Sequence, residues 1–148
     1  MPDDETFFAL ALEQARIGAR AGGIPIGAAL VGGGKVLGVG HNQRVQMNSA
    51  IRHGEMDALE AAGRLPARTY AAATMYTTLS PCAMCTGAIL LYRIPRVVVG
   101  EHETFVGGED LLRANGVEVV VRDDPECVSL MRAFVAKHPD LWNEDIAR

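Results

Sequence analysis

Four residues of this chain have the types and spacing to do chemistry together: His53, Glu55, Cys82 and Cys85. Cys82-Ala83-Met84-Cys85 sets two thiols three residues apart, on one face of a helix, where both can grip a single ion. Alone, such a pair is weak evidence, because redox dithiols and structural metal sites share it. Here Pro81 precedes it at an expected helix start, and His53-Gly54-Glu55 lies upstream at another. His53 and Glu55 would diverge in mid-helix; a metal lying off the helix N-terminus lets both converge on it. Two helix N-termini aimed at one point also favour thiolates and lower cysteine pKa values.

The donor count separates catalysis from scaffolding. His53, Cys82 and Cys85 are three ligands of the kind zinc takes, which leaves a fourth tetrahedral position open to water. Two thiolates and a neutral imidazole balance the charge of the ion. Glu55 is then a non-ligand carboxylate, placed to accept the water's proton and return it later. Other uses of these residues stay open. Cys127 could close a structural site as fourth ligand, the thiols could form a redox pair that leaves His53 unused, and Glu55 could merely match a helix dipole. Cys127 is expected instead as a small buried hydrophobe.

Elements must bring these groups together. Asp4–Arg20 reads as an amphipathic helix ended by Gly22-Gly23, and residues 28–31 and 36–40 as glycine-spaced strands of a hairpin. Residues 42–52 read as a polar loop, and 53–62 as a helix closed by Gly63. Residues 75–78 read as a strand, followed by a helix over 82–92 with Pro81 at its first turn. The apolar runs 96–100 and 117–121 read as central strands covered on both faces. Helices over 109–114, 125–137 and 139–146 complete the chain. Strands alternating with helices after the hairpin predict an α/β domain with a mixed sheet between helical layers.

Composition narrows the class. With 148 residues, 49% hydrophobic and 22% charged, the chain has the length and apolar content of one folded domain spanning 1–148. A net charge of −4 argues against affinity built on phosphate neutralisation, so no nucleic-acid partner is expected. The acidic opening lacks the basic and apolar regions of a secretion signal, and three cysteines are too few for a disulfide scaffold, which points to a reducing cytoplasmic setting. Residues 69–92 carry no charge, but Ser80, Pro81 and five threonines make them a poor membrane span.

The order His-x-Glu then Pro-Cys-x-x-Cys is that of the zinc nucleobase deaminases. Beyond it, Gly40-His41-Asn42, the 53–60 segment through Leu59-Glu60 and Tyr76-Thr77-Thr78-Leu79-Ser80-Pro81-Cys82 resemble fungal-type cytosine deaminases. So do Cys85-Thr86-Gly87-Ala88-Ile89, Ile94-Pro95-Arg96, Val98-Val99-Gly100-Glu101, Trp142 and Glu144-Asp145-Ile146. The resemblance covers nearly the whole chain. It implies the cytidine deaminase-like fold, a three-layer α/β/α sandwich around a five-stranded mixed sheet. It also implies a homodimer with one zinc per chain that turns cytosine and water into uracil and ammonia.

Site roles follow from the resemblance by position. Asn42 would bond the pyrimidine edge, the Gly54 N–H would meet the ring carbonyl, and the Ser80 carbonyl and Asp145 would hold the exocyclic amine. Phe105 and Trp142 would cover the base and Ile26 would line the pocket. Asn42 as a turn residue, or Phe105 and Trp142 as plain core, are the bland alternatives. Asp57 replaces a small hydroxyl residue of those enzymes, and His102 and Thr104 replace asparagines, which leaves creatinine open as an alternative substrate. A non-catalytic zinc-stabilised binding protein is the alternative from another class.

Overall fold

The computed structural model describes residues 4–148; the opening Met-Pro-Asp of the acidic N-terminus lies outside the described residues. The strands are β1 (Gly27–Gly32), β2 (Lys35–His41), β3 (Ala73–Leu79), β4 (Arg96–Glu101) and β5 (Glu118–Val121). They form one sheet in the order β2-β1-β3-β4-β5. β1 runs antiparallel to both β2 and β3, whereas β3, β4 and β5 are parallel. Alternation along the strands sorts their side chains between two cores. Ala28, Leu30, Met75, Val97 and Val99 face one core, while Ala29, Val31, Tyr76 and Val98 face the other.

Helices close both faces. α1 (Asp4–Arg20) brings Phe7, Phe8, Ala11 and Leu12 onto the second face, with Cys127 of α7 (Pro125–Lys137) beside them. The first face is covered by α3 (Gly54–Ala62), α5 (Ala83–Leu91) and α6 (Glu109–Ala114), through Ala58, Ile89 and Leu112. The result is the expected three-layer sandwich. A third cluster of Ile24, Ile26, Leu79, Met131, Phe134 and Trp142 seats α8 (Pro139–Asp145) against the edge of the core.

Several boundaries differ from expectation, each for a local reason. The polar 42–52 loop contains a one-turn helix, α2 (Arg44–Met47), and another, α4 (Ala67–Tyr70), precedes β3. Both are too short for a periodic signal. β5 is an edge strand, mostly half-buried, rather than a central one. A continuous valine run therefore reports apolar character but not position in the sheet. Pro81 stands before the N-cap of α5 rather than in its first turn; its carbonyl accepts the Gly108 N–H and the Thr86 hydroxyl. His53 and Cys82 are the N-caps of α3 and α5, both with extended backbone.

α3 reaches β2 because β2 has no side chains at two points. A Cβ on Gly38 would fall 2.5 Å from the Ala58 carbonyl oxygen, and one on Gly40 would fall 2.6 Å from the Asp57 carbonyl carbon. Backbone cannot yield as a side-chain tip can, so the two glycines set the height of α3 over the sheet. We expect Gly40→Ala to cost about 1–3 kcal/mol of stability through overpacking. Urea denaturation measures it. Because α3 begins at His53, the same variant should also bind zinc more weakly.

Candidate active site

The site is built where the N-termini of α3 and α5 meet. His53 Nδ1 lies 3.4 Å from Cys82 Sγ and 3.9 Å from Cys85 Sγ. The donor atoms of His53, Cys82 and Cys85 all lie within 4.8 Å of one another. Zinc bonds of about 2.0–2.1 Å to nitrogen and about 2.3 Å to sulfur imply tetrahedral edges of about 3.6 Å (N to S) and 3.8 Å (S to S). The three donors therefore fit a zinc ion with little adjustment. Cys127 takes no part: it is buried under α1, where burial and the charge of Asp124 push its thiol above the ordinary range.

The charges agree with this use. For Cys82, the hydrogen bond with Cys85 and then the one with His53 overcome burial and bring the thiol down to about 4. Cys85, sharing that bond and buried beside Glu55, is pushed well above its usual range. Burial alone would lower His53, but the hydrogen bond with Cys82 and the charges of Asp145 and Glu55 raise it to about 9. Binding a metal requires a neutral imidazole and two thiolates, so loading releases the protons these groups share. Glu55 is buried next to the donors, and loss of hydration raises it to about 7, with His53 opposing and Cys82 assisting. A carboxyl poised there can carry a proton in either direction.

Beside the donors lies a small cavity. Of the residues expected at the substrate, Ile26, Ser80, Phe105, Trp142 and Asp145 form its walls together with Glu55. Leu79 and Ile146 join them, neither of which the sequence singled out for the site. Asn42 and Gly54 are not among the wall residues. Asn42 is fully buried and reaches the cavity through Asp145, whose Oδ1 accepts its Nδ2–H at 2.9 Å. Gly54 opens α3 with no room for a side chain, since a Cβ there would sit 3.0 Å from the Ile26 carbonyl oxygen. Asp145 Oδ1 also lies 3.3 Å from His53 Nε2, a carboxylate behind the metal-facing ring. Burial raises the Asp145 carboxyl, while His53 and Asn42 hold the rise back.

The wall is closed. Phe105 and Trp142 meet edge to face with centroids 6.1 Å apart. The free volume inside is about 20 Å³, which is room for a water and not for a heterocycle. Sequence reasoning gave no role to Glu101, although it stands inside one of the quoted motifs. Its fully buried Oε2 accepts the N–H groups of Glu103 and Thr104 at 2.7 and 2.9 Å, which fixes the turn leading to Phe105. Its Oε1 is buried without a partner among the described residues. The Ser80 hydroxyl accepts the Gly107 N–H and pins the far end of the same turn. Asp57, His102 and Thr104, the departures that raised creatinine, do not line the cavity; His102 faces Glu109, 3.2 Å away.

Comparison with known proteins gives a concordant result. A family model described as the cytidine and deoxycytidylate deaminase zinc-binding region matches residues 1–101. The cytosine deaminase of Candida albicans is 57% identical over 145 residues, 97% of this chain and 97% of that one. The tRNA-specific adenosine deaminase of Bacillus subtilis is 39% identical over 144 residues, covering 90% and 89%. A structure from work on A-to-I editing by tRNA:A34 deaminases superposes with a TM-score of 0.73 at 28% identity, over 85% of this chain and 99% of that one. We expect purified protein to hold one zinc per chain by elemental analysis. Cys82→Ser or Cys85→Ser should lose it and Cys127→Ser should keep it.

Proposed function

This chain belongs to the cytidine and deoxycytidylate deaminase zinc-binding family, and we propose that its reaction is the hydrolysis of free cytosine to uracil and ammonia. It is a zinc-dependent aminohydrolase. The observation that carries the choice of substrate is the wall of Phe105, Trp142 and Asp145 across the metal-facing cavity. An aromatic cover beside a buried carboxylate suits a planar base with an exocyclic amine. The near full-length likeness to the Candida albicans enzyme supports the same substrate.

His53, Cys82 and Cys85 hold the zinc, which when bound lowers the pKa of a water and so supplies the nucleophile at neutral pH. Glu55 takes one proton of that water and passes it to the ring nitrogen as the water's oxygen bonds to the amine-bearing carbon. It then takes the remaining proton of that oxygen and gives it to the amine as the C–N bond breaks and the carbonyl forms. One water is consumed and one ammonia leaves. The Ser80 carbonyl and Asp145 hold the amine, Asn42 steadies Asp145 from behind the wall, the Gly54 N–H orients the ring, and Ile26, Phe105 and Trp142 enclose it. Because the cavity admits only a water, the Phe105–Trp142 wall opens for each turnover, and that motion can limit product release.

The protein works as a single domain over 1–148, as a homodimer in the cytoplasm. Its three cysteines are free, consistent with a reducing setting, and no described helix is long and apolar enough to cross a membrane. Exposed Val45, Met47 and Ile51 in the 43–52 segment, and Leu91 and Tyr92 at the end of α5, offer apolar surface for a second copy. The likeness to tRNA-specific deaminases raises a base within RNA as another substrate, but the net charge of −4 favours a free base. Nothing lining the cavity favours creatinine.

Ammonia release from cytosine, 5-methylcytosine, cytidine, creatinine, guanine and adenine tests the proposal. Cytosine should be turned over fastest and cytidine hardly at all; equal rates on cytidine overturn the wall assignment. Zinc-loaded protein that releases ammonia from none of them overturns the proposed substrate, and folding without zinc together with no ammonia release from any substrate would favour a binding protein. Glu55→Gln should keep fold and zinc while turnover falls by about 10²–10⁴-fold, the ordinary contribution of general acid–base work. Steady-state kinetics beside metal analysis read this directly.

A further inference from the structure

Asp57 follows Glu55 by two residues on α3 and faces elsewhere. It is buried on α3, makes no wall of the cavity, and its carboxylate is fully engaged. Oδ2 accepts the backbone N–H of His41 at 3.0 Å and Nε2 of Gln43 at 3.0 Å, and Oδ1 accepts Nε of Arg52 at 2.8 Å. His41 and Gln43 are the two neighbours of Asn42. The Gln43 N–H also donates to the Arg52 carbonyl at 2.9 Å, so both ends of the 43–52 segment are tied at this carboxylate.

Asn42 itself is held from the inside. Its N–H donates to the Ile26 carbonyl, its Oδ1 accepts the Arg44 N–H, and its Nδ2 reaches Asp145. We propose that Asp57 is a positioning residue for the deamination site. Gripping both neighbours of Asn42, it sets the direction of the Asn42 amide and, through that amide, the place of the Asp145 carboxylate on the cavity wall. The inference rests on the cytosine reading above, and it gives a task to a residue that differs from the resembling enzymes.

The physical argument is one of leverage. β2 is an edge strand and ends at His41, so the last turn of chain before the loop lacks a neighbouring strand on its outer side. A single carboxylate supplies the outer acceptors there, and Gly40 allows α3 close enough for it to reach. Without it, residues 41–43 keep the inner bond to Ile26 but lose their outer hold. A shift of about 1 Å at Asn42 would then pass to Asp145, and misplacement of that size away from the chemistry can cost 10²-fold in rate. The Asp57 backbone N–H donates to the His53 carbonyl, but its carboxylate bonds only His41, Gln43 and Arg52 and does not line the cavity, so it moves no proton in the reaction.

The test is a double-mutant cycle with cytosine as substrate. Asp57→Ala and Asp57→Asn are measured alone and in an Asn42→Ala background, with zinc content and thermal midpoint alongside. Asp57→Ala should keep one zinc per chain and lose about 10–100-fold in kcat/KM, mostly through KM, with Asp57→Asn in between. In the Asn42→Ala background the same change should add less than about twofold, because its effect runs through Asn42. Equal losses in both backgrounds overturn the proposal, as does a lowered thermal midpoint with unchanged KM. If Asp57→Ala does not fold, Gln43→Leu removes one arm from the outside and takes its place in the cycle. Hydrogen exchange at the His41 and Asn42 amides decides the matter even if the wild-type chain proves inactive on cytosine, a failure of the substrate reading alone. Faster exchange in the variant supports the clamp, and unchanged protection overturns it.

Discussion

Two helices begin at one point, and the rest of the site depends on that meeting. α3 starts after His53 and α5 after Cys82, and each cap residue turns a metal donor toward the other. Helix N-termini present unpaired N–H groups and a partial positive charge, which favours a thiolate over a thiol. The hydrogen bonds among Cys85, Cys82 and His53 act in the same direction, and Cys82 drops to about 4 despite being mostly buried. Glu55 lies in the first turn of α3, at the same positive end, yet burial is the stronger influence and raises it to about 7. A dipole that stabilises anions and a dry interior that penalises them thus act on neighbouring groups with opposite net results.

The chain divides its labour along its length. The zinc-binding family model spans residues 1–101 and takes in the donors, Glu55 and the sheet as far as β4. Phe105, Trp142 and Asp145, which close the cavity, come later in the chain. Glu101 stands at the seam between the two parts: it ends β4 and holds the turn that carries Phe105. The metal donors and Glu55 thus lie within the family-model region, and Phe105, Trp142 and Asp145 lie beyond it.

Much of the fold was legible because its elements are long or strongly patterned. The 17 residues of α1 and the 13 of α7 were bounded from sequence as they are found, since an apolar stripe of several turns and a Pro start leave little choice. One-turn helices such as α2 and α4 carry no such pattern, because they form only where the surrounding structure holds them. The edge position of β5 was hidden for a different reason. Val119, Val120 and Val121 pack partly against both cores, so the residues are apolar wherever the strand sits in the sheet.

For the site, the sequence by itself pointed to the donor set, because His-x-Glu and Pro-Cys-x-x-Cys are residue types at short spacings, whereas the meeting of His53 with Cys82, 29 positions on, is tertiary. It also pointed to Glu55, two positions from His53, which the structure brings to the cavity wall. Tertiary structure alone decided which way each of two nearby carboxylates points. Glu55 turns to the cavity and Asp57 to the 41–43 segment, because Gly38 and Gly40 let α3 settle on β2 at one height and rotation. Likewise only the fold joins Asn42 to Asp145, 103 positions away, and closes Phe105 on Trp142. Such contacts depend on where separate elements come to rest against one another, and local spacing carries no record of that.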